Sequence, residues 1–165
     1  SDYNRAIQLN PRLMEAYNNR GELYGRQGNL KESLINYEAA IKLSPHEAKL
    51  FSNRGHIRLR LHDLQAALAD FNHAIKLNPK VADFYYGRGL AYFMSRDFDQ
   101  AIANFNKTIE LNPEFADAYG NRGLSWLIKG NDSQAERDFA RCLELEPESR
   151  TGLERSIAEI KSLRK

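Results

Sequence analysis

A single cysteine, Cys142, stands in a chain of 165 residues, so no internal disulfide is available and the redox compartment stays open. No apolar run approaches the ~18 residues that a membrane span needs. The net charge is only +2, too small to argue for a nucleic acid or an anionic membrane as partner. The N-terminus, Ser1-Asp2-Tyr3-Asn4-Arg5, has no signal-peptide pattern, which leaves the cytoplasm as the default expectation. No two of the four histidines, His46, His56, His62 and His73, share helical metal-ligand spacing. A glycine-rich phosphate loop and a nucleophile elbow are both missing. These absences point away from an enzyme, and no cofactor or metal is expected. What is present is ordinary in amount: 42% hydrophobic and 28% charged residues, enough apolar surface to offset chain entropy.

The prolines are few, but they are not scattered. They are Pro11, Pro45, Pro79, Pro113 and Pro147, each 34 residues from the next. Each closes one phrase: Leu9-Asn10-Pro11, Leu43-Ser44-Pro45, Leu77-Asn78-Pro79, Leu111-Asn112-Pro113 and Leu145-Glu146-Pro147. Such a period marks an internal repeat. Aligning on the prolines predicts four full repeats, 14–47, 48–81, 82–115 and 116–149. Residues 1–13 read as the second half of a partial repeat, because Tyr3, Ala6, Leu9 and Pro11 match Tyr37, Ala40, Leu43 and Pro45. The chain is expected to begin inside a repeat of something longer. Residues 150–165 carry one apolar stripe, Leu153, Ile157, Ile160 and Leu163, among charged residues, and predict a terminal capping helix.

Each repeat predicts two helices. Tyr17, Arg20, Gly21, Tyr24 and Gln27 recur at steps of three and four, as do Leu30, Leu34, Tyr37, Ala40 and Ile41. Gly28 and Gly130 suit the left-handed residue that ends a helix, and His62 and Arg96 hold the same place in the middle repeats. Asn29, Asp63, Asp97 and Asn131 are expected to cap the second helices. Glu32, Gln100 and Gln134 complete three capping boxes, and Ala66 breaks the fourth. Gly21, Gly55, Gly89 and Gly123 sit midway along each first helix, where a neighbouring helix must approach. Ser33, Ala67, Ala101 and Ala135 are the complementary small residues. Tyr37, Phe71, Phe105 and Phe139 fill the remaining space.

The 34-residue period, the packing glycine and the opening aromatics Tyr17, Phe51, Tyr85 and Tyr119 resemble the tetratricopeptide repeat over nearly the whole chain. That resemblance implies an all-α fold, a right-handed superhelical solenoid of helix-turn-helix repeats whose first helices line a concave groove. Three departures stand out. Arg58 replaces the aromatic supplied elsewhere by Tyr24, Tyr92 and Trp126. Asp132 replaces an apolar residue. Arg20, Arg54, Arg88 and Arg122 stand where the family places leucine. A buried guanidinium is costly unless paired, so these arginines are expected to hydrogen-bond the polar row Asn36, Asp70, Asn104 and Asp138. The competing reading turns them into the groove toward acidic ligand groups. Cys142 takes the place of a small core residue and is expected to be a packed thiol.

The resemblance places function in the groove, as a scaffold for a peptide or protein segment. Asn19, Asn53 and Asn121 share one row, and an amide both donates and accepts. The first half of the groove is polar, with Arg26, Lys49, His56 and Arg60. The second half is apolar, with Tyr86, Leu90, Phe93, Met94, Leu124, Leu127 and Ile128, and such a patch marks a partner site unless residues 150–165 or a second copy cover it. Residues 48–81 carry six basic side chains against Asp63 and Asp70, net +4, which would suit a ligand acidic at one end and apolar at the other. The carboxylate clamp of chaperone-binding members is not expected: at the matching places, Asn18, Glu22, Asn53, Asp83 and Gly87, only one asparagine agrees, and acids stand in place of required bases. The alternatives are a self-associating scaffold, through the apolar groove or the incomplete leading repeat, and the repeat arm of a larger enzyme. RNA binding is disfavoured because basic and aromatic residues do not interleave along the groove.

Overall fold

The computed structural model describes residues 2–163. Every regular element among them is helical. The α-helices are α1 (Asp2–Leu9), α2 (Met14–Arg26), α3 (Leu30–Leu43), α4 (Ala48–Arg60), α5 (Leu64–Leu77), α6 (Ala82–Met94), α7 (Phe98–Leu111), α8 (Ala116–Ile128), α9 (Asp132–Leu145) and α10 (Arg150–Leu163). A 3-10 turn, Pro147–Ser149, precedes α10. The fold is all-α and built of antiparallel helix pairs. It divides into two compact units, Ser1–Lys80 and Val81–Lys165. No helix is long and apolar enough to cross a membrane.

In the first unit α1 packs on α2, α2 pairs with α3, α3 meets α4, and α4 pairs with α5. In the second unit α6 pairs with α7, α7 meets α8, and α8 pairs with α9. The pairs close because a glycine on the first helix faces an aromatic ring on the second. A Cβ on Gly55 would lie 2.9 Å from Phe71 Cζ, and one on Gly89 2.6 Å from Phe105 Cε1. Phe71 and Phe105 are fully buried, as are Ser33, Ala67, Ala101 and Ala135 beside them. Burying one such ring is worth about 1.5–3 kcal/mol. That more than offsets the roughly 1 kcal/mol of helix propensity lost at each glycine.

The turns follow their residues. Gly28 (φ 83°) and Gly130 (φ 82°) are left-handed, and His62 (φ 58°) and Arg96 (φ 63°) adopt the same conformation with a side chain. Asp63, Asp97 and Asn131 each accept from the backbone N–H three residues on. Asn29 does not make the expected side-chain cap. The asparagine before the proline has its own role: Asn10, Asn78 and Asn112 Oδ1 accept from the N–H two residues on, bridging the proline.

At the C-terminal end α10 packs against α8 and the 3-10 turn. Leu153 is buried with Leu127, Ala135, Phe139 and Cys142, and Leu124, Ile157 and Ile160 pack around that cluster. Cys142 is a buried free thiol, as its place among small core residues implies.

Candidate functional site

On the first unit α2 and α4 lie side by side and share a run of amides. Asn53 Nδ2 donates to Asn18 Oδ1 at 3.1 Å, and Asn18 Nδ2 donates to Asn19 Oδ1 at 3.0 Å. Asn19 ends the relay, exposed, in a shallow pocket of about 310 Å³ with Tyr3, Glu22, Leu23 and Arg26. The expected basic residues are in part engaged. Arg26 pairs with Glu22 at 2.5 Å on the surface. Arg60 Nη1 donates to the Gly25 carbonyl at 2.6 Å, tying α4 to α2. His56 sets its ring edge-on to Phe71. Lys49 is exposed at the start of α4.

On the second unit the amide row continues differently. Asn121 Nδ2 donates to the Tyr86 hydroxyl at 3.1 Å and to the Asp117 carbonyl at 2.9 Å. The Tyr86 ring lies 4.7 Å from Phe115 and 5.9 Å from Phe105, centre to centre. Burial, and then the nearby Asp117 and Asp83 carboxylates, push the Tyr86 hydroxyl well above its usual range, so it stays a neutral hydrogen-bonding group. Burial also raises the Asp117 carboxyl, with Glu146 adding to the effect.

The apolar residues expected on this face separate into two groups. Leu127 does not face the groove. It is 2% exposed because its side of α8 turns toward α9, where Phe139, Ala135 and Cys142 receive it. Leu124 is half-buried against the same cluster, with α10 over it. Leu90, Phe93 and Ile128 are half-buried, and Met94 is exposed. Phe93 packs edge-on to Phe98 at 5.6 Å. Phe93, Met94 and Ile128 line an apolar cavity of about 470 Å³, which Ile160 and Leu163 of α10 also line. Residues 150–163 thus supply part of the covering that the apolar stripe called for, but not all of it.

A tetratricopeptide repeat profile matches residues 82–115, a second matches residues 15–47, and a TPR repeat profile matches 1–28 and 60–95. The chain belongs to the tetratricopeptide repeat (TPR) family. A comparison with curated proteins finds no match. Among solved structures, MamA is similar at 28% identity and a TM-score of 0.79, over 90% of this chain and 87% of that one. YrrB, described as a TPR protein with an unusual peptide-binding site, shares the fold at 22% identity and a TM-score of 0.74, over 97% and 80%. So does the first TPR of Spaghetti (RPAP3) bound to the HSP90 peptide SRMEEVD, at 24% identity and 0.69, over 71% and 93%. The fold class and family together make this TPR chain a protein-interaction scaffold. No cluster of three or more His, Cys, Asp or Glu side chains suited to a metal occurs among the described residues.

The four arginines that depart from the TPR pattern are structural. Each guanidinium lies over the aromatic three residues earlier: Arg20 over Tyr17, Arg54 over Phe51, Arg88 over Tyr85 and Arg122 over Tyr119, at 5.4–5.7 Å. Arg20 and Arg88 Nε donate to Asn36 and Asn104 Oδ1, both at 2.7 Å. Arg54 and Arg122 grip Asp70 and Asp138 with two bonds each. Arg20 and Arg122 reach one helix further, donating to Asn4 and Asn106. The Arg58 departure falls into place here, since its Nη1 lies 2.8 Å from Asp70 Oδ2 and gives that buried carboxylate a second cation.

Asn18 lies one position outside the row Asn19, Asn53 and Asn121, yet it links that row's first two members. The signal for it is an offset of 35, one period plus one residue. That offset joins Asn53 to Asn18, Arg60 to Gly25 and Asn121 to Tyr86.

Proposed function

We propose that this TPR chain holds a peptide or protein segment on the open faces of its first helices, with the repeats divided at 14–47, 48–81, 82–115 and 116–149. The observation that carries the reading is the amide relay Asn53–Asn18–Asn19 across α2 and α4. These side chains leave the packing of the helix pair to the glycine–aromatic contacts. An aligned amide row offers a peptide backbone both donors and acceptors without selecting its side chains. A preformed face avoids the ordering cost of building one on binding.

On the first unit the contacts would come from Asn19, Asn53, Arg26, Lys49, His56 and Arg60. On the second they would come from Asn121, Tyr86, Leu90, Phe93, Met94, Leu124 and Ile128, with Leu127 acting from below as core. The peptide-binding site described for YrrB and the HSP90 peptide on Spaghetti support a peptide ligand for this fold. Glu22 and Asp83 argue against a ligand held by its terminal carboxylate in a clamp of bases.

Pull-down with this chain, repeated with Asn53→Ala and Asn121→Ala, tests the reading. Asn53→Ala cuts the relay and is expected to weaken capture while leaving the melting temperature within about 2 °C, since a half-exposed amide contributes little to the fold. Unchanged capture by both variants would refute it. A second reading, self-association, is favoured by Leu9 and Ile35, which are 78% and 64% exposed on α1 and α3. Sedimentation across a concentration series decides it, because a monomer at high concentration excludes it.

A further inference from the structure

The burial of α10 falls along its length. Leu153 is buried, Ile157 and Ile160 are half-buried, and Leu163 is 86% exposed. A wedge therefore opens between the end of α10 and the ends of α6 and α8. This is the cavity of about 470 Å³ walled by Phe93, Met94, Phe98, Ile128 and Ile160. Its size falls within the range of small-ligand pockets, room for one or two bulky side chains.

Arg96 stands at the rim of this wedge. Its position is left-handed, with φ at 63°, and the equivalent turn positions 28 and 130 are glycine. A side chain there is a standing cost. Its charge is also left open. Asp97 is taken up as the cap of α7, accepting from Gln100 N at 3.2 Å, and Asp99 pairs with Lys129. No carboxylate pairs with Arg96 among the described residues, and its side chain is exposed. A strained, unpaired guanidinium beside an open apolar wedge is complementary to one kind of group: a bulky apolar side chain with a carboxylate next to it.

We propose that this wedge is a docking site for a partner protein segment in which one or two large apolar residues adjoin an Asp or Glu, the apolar side chains filling the wedge and Arg96 receiving the carboxylate. The proposal rests on the peptide-scaffold reading above and locates its anchor point in the second unit. The wedge is short and open to solvent, which suits side chains presented by a backbone better than a long acyl chain.

Selection from a random 12-residue displayed peptide library against the chain tests this, followed by affinity measurement on synthetic selected peptides. The expected selection is enriched in Trp, Phe, Leu or Met within two residues of Asp or Glu. Arg96→Gly should weaken these peptides at least tenfold while raising Tm by about 2–4 °C, because it removes the left-handed strain. Met94→Asp should weaken them too. Replacing the peptide's acid by its amide should cost the chain with Arg96 tenfold and cost Arg96→Gly little. A merely structural arginine would not show that coupling. Selected peptides without an acid, or equal binding to Arg96→Gly, would overturn the wedge proposal. If those peptides instead lose affinity with Asn53→Ala, the scaffold reading survives and only the anchor falls. A library that yields no binder overturns both.

Discussion

An arginine between packed helices persists only where its N–H groups find acceptors. All four do, but the acceptors differ in charge, and that difference sets what each arginine is worth. Asp138 is 6% exposed and is gripped by Arg122. Removing that guanidinium strands a buried carboxylate, so Arg122→Leu is expected to cost about 3–5 kcal/mol. Arg88 faces the neutral amide of Asn104, so Arg88→Leu is expected to cost only about 1–2 kcal/mol. Arg54→Leu should fall between them, since Arg58 still holds Asp70. Chemical denaturation of the three variants gives the order, and Arg122→Leu with Asp138→Leu should recover most of the loss. An Arg88 variant as unstable as the Arg122 variant would reject the account. The polar row was readable 16 residues past each arginine. The stacking of each guanidinium on Tyr17, Phe51, Tyr85 or Tyr119 is not legible in the 34-residue pattern, because it rests on a spacing of three within one helix.

At the scale of the element, the 34-residue period exposes nearly everything local: the helix pairs, the glycine–aromatic contacts and the left-handed turns. It does so because these depend on neighbours within one repeat. It misleads where a local rule is weakly enforced, as at Asn29, whose capping side chain makes no such bond. Two substitutions measure the opposed terms in the pairs. Gly89→Ala adds helix propensity, but its Cβ meets the fully buried Phe105 ring at 2.6 Å. A ring enclosed on all sides cannot swing away, so the expected net effect is a loss of about 1–3 kcal/mol. His62→Gly relieves a left-handed side chain on the surface and is expected to gain up to about 1 kcal/mol. Thermal unfolding followed by circular dichroism reads both. A Gly89→Ala protein that melts above its parent would show that the close approach is not what retains the glycine.

At the scale of the whole molecule, what lies beyond one repeat is also what is least legible in the sequence. The stripe Leu153, Ile157, Ile160 and Leu163 marked a covering helix but not the surface it covers. Leu127, by contrast, is buried within its own repeat, where its side of α8 turns toward Ala135, Phe139 and Cys142 of α9, and α10 only closes that cluster with Leu153. The periodic pattern carries no information about a helix outside the period, so the partition between site and core at this end needs the fold. α10 supplies the last neighbour that α8 and α9 have within the second unit, and in repeat proteins each segment is stabilised mainly by its neighbours. Ending the chain at residue 149 would uncover the cluster of Leu127, Phe139 and Cys142. Losing one buried and two half-buried aliphatic side chains is expected to cost about 3–5 kcal/mol, as an upper estimate from area. The loss should be local. Hydrogen exchange is expected to show α8 and α9 opening faster, while α2 and α3, in the first unit, keep their protection. If α8 and α9 exchange as slowly without α10 as with it, then α10 contributes little to the core at that end. The Leu127 cluster would then have to be held by α8 and α9 alone.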